Sequence, residues 1–188
     1  MAVRNAPFPQ RRQRPGPGRS TRGVVGSLRV RATGFNHVSI HARNLEESVR
    51  FYVEVLGMEP IPTYNFAFPV QYLRLGDLQL HLFERDSDAP RFHHIGINVD
   101  DFEGAYLRAK ELGILERESF FEDMYELPDG SVQMYLRDPA GNLVELDWPD
   151  VTTLDRSVLG EIKKLGDSVP QTGDALKATL YLERAAGR

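Results

Sequence analysis

Polar and apolar residues alternate along F-N-H-V-S-I-H from Phe35, a period of two that predicts a half-buried strand. The period then lengthens. Leu45, Val49, Tyr52 and Leu56 recur at helical spacing behind an N-x-x-E capping pattern at Asn44 and Glu47, and Gly57 is a natural stop. Three strand-like stretches follow at 58–64, 68–75 and 78–84, the last two parted by the hairpin-type turn Gly76-Asp77. The whole series then returns. H-H-I-G-I-N-V-D-D-F-E at 93–103 lies on N-H-V-S-I-H-A-R-N-L-E at 36–46, so that His37 falls on His94 at an offset of 57. A second helix is predicted from an Asp101 cap through Phe102, Ala105, Tyr106, Ala109 and Leu112 to a Gly113 stop. Tyr72-Leu73-Arg74 recurs as Tyr135-Leu136-Arg137, and L-Q-L-H-L at 78–82 falls on N-L-V-E-L at 142–146, which sets His81 on Glu145. Such self-similarity predicts an α+β chain of two tandem βαβββ modules, 35–84 and 92–148, forming a curved mixed sheet around a concave cleft.

The flanks read differently. Residues 1–34 hold four prolines, five glycines and eight arginines but no acid, a composition that cannot bury enough apolar area to offset its ordering entropy and predicts a disordered tail. An organelle transit peptide and a basic arm for anionic partners are the rival readings. The repeats occupy a domain at 35–150. Residues 151–188 form a predicted helical extension, with Val158, Leu159, Ile162 and Leu165 as one apolar stripe and a second short helix at 174–185.

Composition narrows the function. Beyond residue 31 the chain carries 15 basic residues against 27 acidic ones, a net of −12 that argues against a nucleic-acid surface. No apolar run is long enough for a membrane span and no apolar stretch near the start suits a secretory signal, so a cytoplasmic protein is expected. Cysteine is absent, so any metal ion must be held by His, Asp or Glu.

Strand residues two apart share a face. His37, Ser39 and His41 therefore stand together, as do His94, Gly96 and Asn98, and Leu143, Glu145 and Asp147, while the intervening apolar residues suit packing under the helices. His37, His94 and Glu145 are thus expected to face one cleft, with His81 at the place in the first module that Glu145 takes in the second. Two imidazoles and a carboxylate form the facial set used for Fe2+, and the same donors accept Mn2+, Ni2+, Co2+ or Zn2+. His93 should point away from the cleft and His41 border it; neither is expected to be a ligand. Arg74 and Arg137 are candidate anion clamps, or else partners of surface acids. Asp138-Pro139-Ala140-Gly141 reads as a turn, and the acidic run 116–126 as a solvated loop or lid.

The two modules, with N-H-V-S-I, L-E-E-S-V-R-F-Y-V-E-V-L-G-M, L-H-L-F-E, H-H-I-G-I-N-V-D-D and Y-L-R-D-P-A-G-N-L-V-E-L, resemble the vicinal oxygen chelate superfamily across 35–148. The resemblance implies one divalent metal ion held by His37, His94 and Glu145, with His81 the fourth position that need not bind. It also implies a small substrate chelated through two oxygens, and a homodimer. Catalytic roles fall on Glu145, His81 and Tyr135, and substrate-binding roles on Ser39, His41, Arg74, Asn98 and Arg137. A glyoxalase-like lyase or isomerase is the first expectation. An extradiol-type Fe2+ dioxygenase, a fosfomycin-type thiol transferase and a metal-free ligand-sequestering protein are the alternatives.

Overall fold

The computed structural model of the protein describes residues 34–118 and 123–182. The first module runs β1 (His37–Ala42), α1 (Leu45–Glu54), β2 (Glu59–Ile61), β3 (Val70–Leu75) and β4 (Leu78–Glu84). The second runs β5 (His94–Asn98), α2 (Phe102–Leu112), β6 (Met124–Glu126), β7 (Val132–Arg137) and β8 (Leu143–Trp148). Both helices begin as the capping patterns require: the Asn44 side chain accepts from the amide of Glu47, and the Asp101 side chain from that of Gly104. Gly113 ends α2 at φ 66°, a left-handed conformation that costs a glycine nothing.

Hydrogen bonding sorts the strands into two mixed sheets, ordered β1-β4-β3-β2 and β5-β8-β7-β6, where the sequence pattern suggested one curved sheet. Periodicity specifies which side chains share a face but not whether the edges of two modules bond to each other. The repeat is exact in register. Ser39 stands opposite His81 as Gly96 stands opposite Glu145, and Tyr72 opposite His81 as Tyr135 opposite Glu145.

One apolar cluster lies under both helices and joins the modules. Tyr52, Leu73, Leu80 and Leu82 come from the first, and Phe102, Tyr106, Met134, Val144 and Leu146 from the second. Each fully buried side chain of this kind contributes about 1.5–3 kcal/mol. A polar fastening crosses between the modules as well. Asp138, buried in the β7–β8 turn, accepts hydrogen bonds from the amides of Ala140 and Asn142, the Asn142 side-chain amide and the Tyr52 hydroxyl of α1. Asn142 also donates to the carbonyl of His41 at 2.8 Å. The D-P-x-G-N sequence is thus a turn, and a joint between the modules.

Two regions depart from expectation. The run 116–126 is not all solvated loop: Glu116 is buried against Arg137, and β6 occupies its end; residues 119–122 lie outside the described residues. The C-terminal extension is less helical than its apolar spacing suggested. Among its described residues it forms the short helices α3 (Arg156–Leu159) and α4 (Leu165–Ser168), with 3-10 turns at Val151–Thr153 and Gly173–Lys177. Between the two helices β9 (Ile162–Lys164) pairs in parallel with β6 as the fifth strand of the second sheet. An open edge at β6 offers unpaired backbone groups, and pairing there outweighs helix continuation past Gly160. Residues 178–181 of the predicted helix 174–185 are not helical; residues 183–185 and the tail 1–33 lie outside the described residues.

Candidate functional site

Leu73, Leu80 and Leu82 turn into the core, so Tyr72 and His81 occupy the opposite face of the first sheet together with His37. There the rings form a column. His81 lies between Tyr72, with centroids 3.6 Å apart, and His37, at 4.2 Å, both nearly parallel to it. The Nε2 of His81 lies 2.9 Å from Gln79 Oε1. An amide oxygen only accepts, so His81 donates through Nε2 and keeps Nδ1 as its basic nitrogen. Burial, and secondarily the neighbouring His37, lower its pKa, so His81 is neutral at pH 7.

The second sheet repeats the plan with different chemistry. His94 Nδ1 lies 3.1 Å from the carbonyl of Phe92, to which it donates, and this directs Nε2 at Glu145 Oε2, 3.0 Å away. A neutral imidazole of that tautomer would set two lone pairs against each other. The contact is therefore stable only with positive charge between or on the pair: a proton, or a metal cation. Tyr135 meets His94 edge-on at 5.8 Å and accepts from Gln133 at 2.9 Å. Burial, then the charge of Glu145, push its hydroxyl pKa up.

Asp147, two residues on from Glu145 and on the same face, is the residue that sequence reasoning passed over. It is 7% exposed, and its Oδ1 is buried without a hydrogen-bond partner among the described residues. Burial, then Glu145, raise its pKa to about 8, so the two carboxyls share a proton. Gly96 makes room for it: a Cβ there would sit 3.1 Å from Asp147 Oδ2. A glycine opposite two adjacent inward acids was the available signal.

The remaining candidates divide. Ser39, His41, His93 and His94 line a cleft of about 260 Å³ between β1 and the β5–β8 pair, and the His41 Nε2 is buried there without a partner among the described residues. Arg74 is exposed on β3, opposite Glu59. Arg137 is committed to the scaffold: its guanidinium bonds Glu116 and the carbonyls of Gly141 and Arg91. Asn98 accepts from the Tyr181 hydroxyl at 2.8 Å.

The donor types suit a divalent cation, and the free Nε2 of His94 beside Glu145 is the arrangement a ligand imidazole adopts. The set is nevertheless split into two pairs, His37 with His81 and His94 with Glu145. Among the described residues no three His, Asp or Glu side chains converge on one point.

Residues 34–146 match the family model of the glyoxalase/bleomycin resistance protein/dioxygenase superfamily. The chain belongs to that superfamily. Human mitochondrial methylmalonyl-CoA epimerase is 31% identical over 129 residues, covering 60% of this chain and 72% of the epimerase. An uncharacterized protein of Bacillus subtilis, YwbC, is 27% identical over 124 residues, covering 61% of this chain and 96% of its own. Among solved structures, the Listeria monocytogenes fosfomycin resistance protein FosX, complexed with Mn(II) and a dihydroxypropylphosphonic acid, aligns with a TM-score of 0.54 at 18% identity. That alignment covers 65% of this chain and 96% of FosX. A glyoxalase family protein of Bacillus anthracis aligns with a TM-score of 0.51 at 21% identity, covering 64% and 98%. At these identities the likeness is one of fold.

Proposed function

We propose that the chain is a metal-dependent enzyme of the glyoxalase type, which moves a proton on a small molecule bound through two oxygen atoms. The observation that carries this reading is the contact of His94 Nε2 with Glu145 Oε2 at 3.0 Å, which calls for a proton or a metal cation between them, with the His94 tautomer set by the Phe92 carbonyl. His37, His94 and Glu145 would hold the ion, with His81 as an optional fourth ligand. A bound divalent ion supplies Lewis-acid stabilisation of an oxyanion. The chain's own groups supply the rest. His81, neutral and stacked, can accept a proton at Nδ1; Glu145 and Asp147 already share one and can relay it; Tyr135 can hydrogen-bond an oxygen held beside Glu145. Ser39, Arg74 and Asn98 stand on the same strand faces and would orient the substrate. Joining the two half-sites is the work we assign to a homodimer, in which the first-module pair of one chain meets the second-module pair of another. The likeness to an epimerase supports proton transfer as the reaction class.

The test is a screen of metal-restored protein in heavy water for deuterium uptake at acidic C–H positions of small hydroxy- and ketoacids and their thioesters, with a hemithioacetal included. Exchange that depends on added Mn2+, Ni2+, Co2+ or Zn2+ supports the proposal. Oxygen uptake with Fe2+ would favour the dioxygenase. A second reading has one observation of its own. Tyr64, Phe66, Phe68, Tyr72 and Phe83 cluster on the His81 face of the first sheet, a surface suited to sequestering an aromatic ligand without metal.

A further inference from the structure

The C-terminal extension lies beyond residues 34–146, the part that matches the superfamily, yet it reaches the candidate site. It is first pinned at one edge of the second sheet. β9 pairs with β6, and Glu161 binds the Tyr106 hydroxyl and Lys110 of α2. Its end touches the other edge. The Tyr181 hydroxyl donates to Asn98 Oδ1, on β5, at 2.8 Å. Between the two, Thr179 hydrogen-bonds Asp129 in the β6–β7 turn. Since β9 and β5 are the outermost strands of the order β5-β8-β7-β6-β9, the segment spans the sheet. The face it reaches is set by Asn98, whose side chain alternates away from Ile97, a core residue, and so shares the side of His94, Glu145 and Asp147. The level is set by register: Asn98 and Gln133 both stand opposite Asp147.

The polar row His94–Glu145–Asp147 is therefore open at one end and closed at the other. His94, with 40% of its side chain exposed, borders the cleft of about 260 Å³. At the far end Glu145 and Asp147 are 5% and 7% exposed, and Asn98, which Tyr181 bonds, stands in register with Asp147.

We propose that Tyr181 is a specificity-determining residue: it holds residues 173–182 as a strap over the Asp147 end of the second half-site, so that ligands enter only past His94 and must be small enough for the cleft there. This rests on the site proposed above but not on its metal. The Asn98 acceptor is the strap's latch, and a ligand hydroxyl reaching that end would compete with Tyr181 for it.

The experiment reads access directly and needs no substrate. Metal-free full-length protein is treated with a water-soluble carbodiimide and an amine, and modification of Glu145 and Asp147 is located by peptide mass. Wild type should be protected. Tyr181→Phe, which loses one hydrogen bond, should label about fivefold faster, and Tyr181→Ala faster still. A chain ending at residue 172, which keeps β9, should label as fast as an exposed carboxylate, with circular dichroism confirming that each variant is folded. Competition by ethylene glycol, a small diol, should slow labelling in wild type more than competition by a bulky aromatic diol. If folded Tyr181→Ala and the shortened chain label no faster than wild type, the strap does not gate the site and the proposal fails. Loss of metal binding in Glu145→Gln is a separate readout, so failure of the strap and failure of the metal reading are distinguishable.

Discussion

The imidazoles of His37 and His81 stack at 4.2 Å at the very positions that His94 and Glu145 occupy, 3.0 Å apart, in the second module. One backbone register therefore carries two chemistries. A stacked histidine pair with His81 buried and neutral stands in the first module, and an imidazole–carboxylate contact backed by a second carboxyl stands in the other.

The shared proton of the second module has a pH signature. In metal-free protein Asp147 keeps its proton up to about 8, against 3.8 for an ordinary aspartate. Between those values the folded state binds more protons than the unfolded one, so stability falls as pH rises. The loss across that window should amount to several kcal/mol, about 1.4 for each pH unit, read from urea midpoints in the presence of a chelator. Asp147→Asn should flatten the dependence and be the more stable protein at the alkaline end. An equal slope in both proteins would show that Asp147 is not the group responsible.

Asp138 accepts four hydrogen bonds while almost fully buried. Asp138→Ala should lower unfolding free energy by about 3 kcal/mol or more, because its donors are left unpaired in the interior. Tyr52→Phe removes only one of them and should cost about 1 kcal/mol. Chemical denaturation of both variants separates the turn's own bonds from the link it makes to α1.

Gly96 tests how closely Asp147 is held. In Gly96→Ala the new methyl would meet Asp147 Oδ2 at 3.1 Å, and the carboxyl has little room to retreat. A cost of about 1 kcal/mol is expected. It should shrink in the Asp147→Ala background, which a double-mutant cycle reads directly. Additive effects would mean the glycine serves the backbone alone.

Much of this architecture was legible before any coordinates. The offsets that laid His37 on His94 and His81 on Glu145 are the same ones that appear as register, because a strand repeat fixes both facing and partner. The helix ends were written in Asn44, Asp101 and Gly113. Asp147 escaped notice because its inward facing was visible but its burial was not; that depends on neighbours brought alongside by register, such as Gln133 on β7. β9 escaped because Ile162 fits the helical spacing of Val158, Leu159 and Leu165, whereas Ile162–Lys164 owe their conformation to the free edge of β6. For Arg137 the sequence left an anion clamp and an ion pair both open, since nothing local reveals that Glu116, twenty-one residues earlier, is its partner.

The measurement that bears most directly on the account is bound metal per chain after loading with Mn2+ or Zn2+ and desalting. It compares wild type with Glu145→Gln, His94→Ala, His81→Ala and His93→Ala, each checked for folding by circular dichroism. Wild type should retain close to one ion. Glu145→Gln and His94→Ala should fold and lose most of it, by about 10-fold to 100-fold in affinity. His81→Ala should lose less, and His93→Ala nothing. Wild-type metal content in folded Glu145→Gln and His94→Ala would contradict the account and leave the cleft as a ligand pocket lined by histidines.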